Sequence, residues 1–304
     1  MSKLSQVTRG KIVKPILALV YGPDGVGKST FGAEAPSPIF LGPEAGTDHL
    51  DVSRYPEPQT WNDVQYGLKD IANGDHGHKT LVIDSLDWIE PLLFQAIIKE
   101  DAKGAKSIET ACGGYGKGYV EAVSRWKEEF IMPLNIIRNT RKMNVVLVAH
   151  SEVVTFNDPQ TQNTYQRYEL KLHKKASAMF REYVDAVLFG NYEVFVKKDG
   201  LITKTFGDGA RCFHTERRPG FDAKNRYGLP YTLPLTWHDF MDAVQNGRPE
   251  SAEALHQRID SLMTCITDPT VLEKMPGVME KAGNDCAKLA QIANRLAVLS
   301  GEGN

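Results

Sequence analysis

Eight consecutive residues, Gly22-Pro23-Asp24-Gly25-Val26-Gly27-Lys28-Ser29, fit the pattern G-x-x-x-x-G-K-[ST], whose chemistry is the capture of a nucleoside triphosphate. Gly22, Gly25 and Gly27 let the backbone curl so that the N–H groups around Asp24, Val26 and Thr30 face phosphate oxygens. Lys28 is expected to reach the β- and γ-phosphates, and Ser29 to ligate Mg²⁺. Three further side chains suit phosphoryl transfer. Asp84 closes the apolar run Leu81-Val82-Ile83 and is placed to hold the metal with Ser29; Glu44, in Leu41-Gly42-Pro43-Glu44-Ala45-Gly46, is the candidate general base. His150 ends the run Val145-Val146-Leu147-Val148-Ala149 and is a candidate γ-phosphate sensor.

These groups need a scaffold that brings several strand ends together. Residues 16–21 form a continuous apolar run, as a strand buried on both faces of a parallel sheet does, and they lead directly into the glycine loop. Pro36 and Pro38 keep the following helix short, before a strand at residues 39–41. Helices are expected near 61–72, 88–99, 119–141, bent at Pro133, 171–183 and 237–245, and strands at 80–84, 145–150, 184–197, 201–206 and 211–215. The glycine-rich stretch within residues 101–118 reads as a mobile loop, and residues 151–168 as a polar turn or hairpin tip. This is an α/β plan with a central, mostly parallel sheet flanked by helices. It occupies residues 1–246, with a small helical extension at 247–304 after the linker Asn246-Gly247-Arg248-Pro249-Glu250.

Composition narrows the function classes. The chain has 304 residues, 41% of them apolar, and a formal charge of −2, so any contact with nucleic acid depends on locally gathered Lys and Arg. Cys112, Cys212, Cys265 and Cys286 are widely spaced without a zinc-ligand pattern, and no apolar run approaches the roughly 20 residues of a membrane span. A reduced, cytoplasmic setting without membrane contact is expected.

The order of these parts resembles the RecA-like ATPases, and within them the compact phage-encoded AAA-domain proteins that include the Sak-type single-strand annealing proteins. The resemblance covers about residues 12–240: a glutamate after the second strand matches Pro43-Glu44-Ala45, and an Asp-Ser at the metal strand matches Asp84-Ser85. His150 stands where a glutamine is usual, as in the phage subgroup. The resemblance implies ATP and Mg²⁺ as cofactors and two DNA-contacting loops. The first would carry Lys103, Lys106, Tyr115 and Lys117, and the second Phe156, Tyr165, Arg167 and Tyr168. Cations beside aromatic rings suit a single-stranded site. Lys171, Lys174 and Lys175, on a helix after the second loop, extend the cation track if Lys171 and Lys175 share a face.

RecA filaments set a Lys-Asn-Lys segment of one subunit against the nucleotide of its neighbour, and Lys224-Asn225-Arg226 resembles it. An oligomer with ATP at its interfaces is therefore expected, with Lys224 and Arg226 reaching the neighbour's nucleotide; an exposed basic turn is the competing reading. About 15 residues precede the first strand, fewer than in the oligomerisation segment of the full-length bacterial recombinase, so long stable filaments are not expected. The expected function is an ATP-dependent protein that binds and anneals single-stranded DNA in phage recombination, within a bacterial host cell. Single-strand binding protein and replication proteins are secondary partners. The competing reading is a nucleotide-switched ATPase acting on a protein, such as a helicase or packaging component. A nucleoside kinase fits the loop but lacks an arginine-rich lid.

Overall fold

The computed structural model describes residues 7, 9–10, 12–157, 164–192, 195–199, 202–206, 209–246, 252–266, 268–285, 288–289, 292–293 and 295–296. The chain begins with β1 (Leu17–Gly22), α1 (Lys28–Ala33), β2 (Pro38–Leu41), β3 (Ser53–Arg54), α2 (Trp61–Asn73), β4 (Thr80–Ile83) and α3 (Leu86–Glu100). It continues through α4 (Lys117–Arg125), a π-helical stretch at Trp126–Ile131 and α5 (Met132–Asn139), then β5 (Asn144–Asn157), β6 (Thr164–Leu170), α6 (Lys174–Tyr183) and β7 (Ala186–Tyr192). After β8 (Phe195–Asp199) and β9 (Ile202–Phe206) come β10 (Arg211–His214), β11 (Lys224–Asn225), β12 (Thr232–Pro234), α7 (Trp237–Asn246), α8 (Ala252–Met263) and α9 (Pro269–Ala282).

The main sheet runs β12-β10-β7-β1-β5-β4-β2-β3, parallel from β7 to β3 and antiparallel at β10 and β12. This is the α/β arrangement expected from the sequence, a central and mostly parallel sheet flanked by helices. β1 is apolar throughout because both its faces are covered: Leu17, Leu19 and Tyr21 enter one core, and Ala18 and Val20 the other. The first core packs residues of α2, α3, α5 and α6 on the sheet; the second packs Phe31 of α1 and Trp237 and Phe240 of α7 on the opposite face. The chain crosses from β5 to β7 past β1, so the strand order reverses beside β1. Ligands of open α/β sheets bind at such a point.

Three expectations about local structure change. β5 does not stop at His150 but runs on to Asn157 and pairs with β6, Ser151 opposite Leu170, so the polar segment is an antiparallel hairpin continuous with the sheet. Its tip, residues 158–163, lies outside the described residues. The first loop is held together by one carboxylate, since Asp101 accepts hydrogen bonds from the backbone N–H of Lys103, Ala105 and Cys112. Lys171 precedes α6 rather than lying on it, which removes the shared helical face proposed for Lys171 and Lys175.

The chain divides into two compact units, Met1–Gln245 and Asn246–Asn304. The second has its own apolar core, including Leu255, Ile259, Leu262, Leu289 and Leu296. Of the linker expected at 246–250, residues 247–250 lie outside the described residues.

Gly42 shows how tightly the strand ends pack: a Cβ there would fall 1.7 Å from the carbonyl oxygen of Asp84. Gly42→Ala must therefore part β2 from β4. A loss of at least about 2 kcal/mol is expected, as for other overpacked sites, seen as a lowered urea midpoint. An unchanged midpoint would mean that the two strand ends separate freely.

Candidate nucleotide site

Gly25 and Gly27 adopt φ of +72° and +106°, left-handed values that make the turn from β1 into α1. Gly22 is needed for a different reason, because a Cβ there would lie 2.2 Å from the Gly190 carbonyl oxygen on β7. The loop curls over Lys28, whose ammonium is buried and donates to the carbonyls of Gly22 and Pro23 at 3.1 and 2.9 Å. Burial lowers the Lys28 pKa, against the pull of Asp24, Asp84, Glu44 and Asp87. Gly25, Gly27, Lys28, Ser29, Thr30, Glu44, Asp84 and His150 line one open cleft of about 380 Å³, together with Gly46, His49 and Arg211.

Asp84 is 4% exposed, and its pKa is raised to about 6, chiefly by burial and further by Glu44, while Ser29, Lys28 and His150 pull it down. Ser29 stands close enough to the Asp84 carboxylate to lower its pKa, so the two expected metal ligands are neighbours in the cleft. Their donor set suits Mg²⁺, a hard cation usually held by one or two protein oxygens and the substrate phosphates. Among the described residues no cluster of three or more His, Cys, Asp or Glu is arranged for a metal ion.

Glu44 is oriented by two neighbours. The Ser85 hydroxyl donates to its Oε2 at 2.9 Å, and His150 Nε2 lies 3.7 Å from its Oε1. His150 is itself held from α3: its backbone N–H donates to Asp87 Oδ1 at 3.0 Å and its Nδ1 to Oδ2 at 2.9 Å. Because Asp87 only accepts, Nδ1 carries a proton, and Nε2 faces Asp24 at 3.4 Å as well as Glu44. The bond to Asp87 outweighs burial and raises the His150 pKa, favouring the imidazolium. Burial would raise the Asp87 pKa, but the two His150 hydrogen bonds and the imidazole charge lower it instead.

The other candidate residues are not at this cleft. Lys103, Lys106 and Lys117 are exposed on the first loop and the start of α4, and Lys171, Lys174 and Lys175 are exposed around the start of α6. Tyr119 of α4 stacks on His173, ring centroids 3.9 Å apart, so Lys117 and the pair Lys174 and Lys175 flank one stacked pair of rings. Arg167 is only 2% exposed; it pairs with Asp222 at 2.9 Å, lies near Glu169 and sits over the Phe156 ring. This burial withdraws Arg167 from the exposed cations expected to meet DNA. Lys224 and Asn225 pair with Val187 and Ala186, at the end of β7 remote from the phosphate loop. The Lys224 ammonium donates to the carbonyls of Arg181, Glu182 and Val184, at the C-terminal end of α6, and Arg226 lies 3.4 Å from Asp185.

Sequence reasoning missed Asp87, Ser85, Tyr192 and Arg211. The first two lie three residues or fewer from Asp84, and position relative to that strand end was the available signal. Tyr192 and Arg211 had none, because only strand pairing brings them to the loop.

Two titrations follow. Asp84 holds a proton in the folded state between its ordinary 3.8 and about 6, so its contribution to stability is greatest below pH 4 and falls as pH rises through 6. Asp84→Asn should stabilise nucleotide-free protein at pH 8 by on the order of 3 kcal/mol, seen as a raised urea midpoint, and lose that advantage at pH 4. A variant less stable than wild type at pH 8 would contradict the burial argument. Asp87→Asn should lower the His150 pKa, read from its imidazole resonances in an NMR pH titration; an unmoved value would show that Asp87 does not hold the proton.

No curated protein matches the sequence. Among solved structures, the flagellar accessory protein FlaH from Methanocaldococcus jannaschii aligns with 70% of this chain and 83% of its own at 11% identity and a TM-score of 0.31, a distance at which nothing about this chain's chemistry follows. The model of the AAA domain matches residues 14–227, a span holding the phosphate loop, Glu44, Asp84 and His150, and the chain accordingly belongs to the AAA-domain family of P-loop ATPases.

Proposed function

We propose that the chain is a Mg²⁺-dependent ATPase that binds single-stranded DNA when ATP is bound and promotes strand annealing in phage recombination. The observation that carries this reading is the double attachment of α3. Asp87 near its start holds His150 at the nucleotide cleft, and Glu90, one turn on, accepts from the backbone N–H of His173 at 2.9 Å. His173 stacks on Tyr119 and faces Lys174, Lys175 and Glu109, so one helix touches both the nucleotide cleft and an exposed surface that carries cations. The same His150 lies on β5, which continues as the β5–β6 hairpin. The phage setting rests on the sequence resemblance alone.

Each residue has a defined task. Lys28 and the loop amides bind the phosphates, and Ser29 and Asp84 hold Mg²⁺, which when bound neutralises charge developing on the transferred phosphoryl group. Glu44, fixed by Ser85, takes the proton of the attacking water, and protonated His150 donates from Nε2 to a γ-phosphate oxygen. Loss of that phosphate leaves His150 facing Glu44 and Asp24 only, and α3 carries the change to His173.

A protein partner in place of DNA is favoured by the withdrawal of Arg167 and by Met132 and Ile136, four residues apart on α5 and 58% and 47% exposed. ATP turnover with and without single-stranded DNA separates the two readings. DNA should stimulate wild type, Lys28→Ala should abolish turnover, and Glu44→Gln should bind ATP without hydrolysing it. Lys174→Glu with Lys175→Glu should keep basal turnover while losing stimulation and reducing the salt dependence of DNA binding. Turnover indifferent to DNA, with DNA unbound in the presence of ATP, would reject the DNA reading.

A further inference from the structure

The two walls of the nucleotide cleft differ in charge. On the β5, β4 and β2 side stand His150, Asp84 and Glu44, the groups suited to the γ-phosphate and its metal. On the β7 and β10 side stand Tyr192 and Arg211, directly paired across the two strands. Arg211 lies near the loop, its guanidinium 3.1 Å from where a Cβ on Gly27 would sit. The Tyr192 hydroxyl donates to the Gly25 carbonyl at 3.1 Å and so ties the same wall to the loop.

Arg211 is exposed, and its guanidinium makes neither an ion pair nor a hydrogen bond with the described residues. Its one aromatic contact is the Tyr192 ring at 5.9 Å, at the outer reach of a cation–π interaction. A fixed fork of N–H donors thus stands without an anion on the rim of a cleft built for polyanions. A nucleotide whose γ-phosphate lies among Glu44, Asp84 and His150 directs its α-phosphate and nucleoside away from that wall.

We infer that Arg211 is a nucleotide-binding residue contributed in cis, whose guanidinium grips the α- and β-phosphates of a nucleoside di- or triphosphate from the β10 side. The inference rests on the ATPase reading and adds a cation that acts on ground-state binding, separate from the groups at the γ-phosphate. A contact to the α- and β-phosphates is present before and after hydrolysis, so its loss must weaken ATP and ADP alike.

Calorimetric titration of wild type, Arg211→Ala and Lys28→Ala with ADP and with a non-hydrolysable ATP analogue tests this. Arg211→Ala should bind both about tenfold or more weakly, as expected for a lost charge-assisted contact, and raise KM with kcat little changed. Unchanged affinity for both nucleotides would overturn the inference. So would a loss confined to the ATP analogue, or a fall in kcat at constant ADP affinity, since either would place Arg211 at the γ-phosphate. If Arg211→Ala melts early, Arg211→Gln carries the test, because it keeps the side-chain stem and removes the charge. Wild type that binds neither nucleotide would instead reject the ATPase reading itself.

Discussion

Glu44, Asp84 and Asp87 share Lys28 and His150 at one edge of the sheet, where Asp84 is 4% exposed and the Asp87 side chain 3%. Charges so far removed from water are tolerated only when paired and hydrogen-bonded, and they turn costly as soon as a partner shifts. The rest of the architecture keeps that cluster in register. Gly42 lets β2 close onto Asp84, Gly22 lets the loop close onto β7, and the start of α3 returns Asp87 to His150. Asp84 is the group left partly uncompensated, with a pKa near 6, and a divalent cation at Ser29 and Asp84 would relieve that debt of charge.

One helix, α3, reaches from the nucleotide cleft to His173, with Pro91 in its interior. Its first turn is locked to His150 through two hydrogen bonds, and its buried side chains Leu86, Ile89, Leu93 and Ile97 fix it on the sheet. Glu90 shares this burial, which raises its pKa to about 7; Oε2 accepts from His173, while Oε1 is buried without a hydrogen-bond partner. A helix anchored in this way moves only with the core that holds it, because a packed core repacks in discrete steps. The neighbouring Lys174 and Lys175 sit at the N-terminal end of α6, where the helix dipole disfavours cations. Such a placement gains from an anion, as a nucleic-acid backbone supplies.

What the sequence revealed and what it concealed divide along a physical line. Lys28 and Ser29 were legible from the spacing of the glycine motif itself, and Glu44, Asp84 and His150 because each closely follows a short apolar run that announces a buried parallel strand. The alternation of β1 between two cores was legible for the same reason. Arg211 and Tyr192 were not, since an antiparallel pairing between distant segments brings them to the loop and no local pattern encodes it. Arg167 misled because its partner Asp222 lies far along the chain, so a cation that reads as exposed in the sequence is buried in the fold. The Lys171 misassignment was a boundary error: α6 starts at Lys174, with His173 as its cap.

The cations flanking β7 show how differently the fold uses similar residues. Lys224 has three ammonium protons and meets three carbonyls at the end of α6, at 2.9, 2.9 and 2.6 Å, so within its own subunit it satisfies the backbone groups that a helix terminus leaves open. Arg226, 57% exposed and only loosely paired with Asp185, retains donors that a second subunit's nucleotide could take up. Arg211, at the opposite end of β7, has no anionic partner among the described residues and faces this subunit's own loop. The two ends of β7 thus set similar residues to different tasks: Lys224 closes a helix terminus of its own fold, whereas Arg211 faces the phosphate loop.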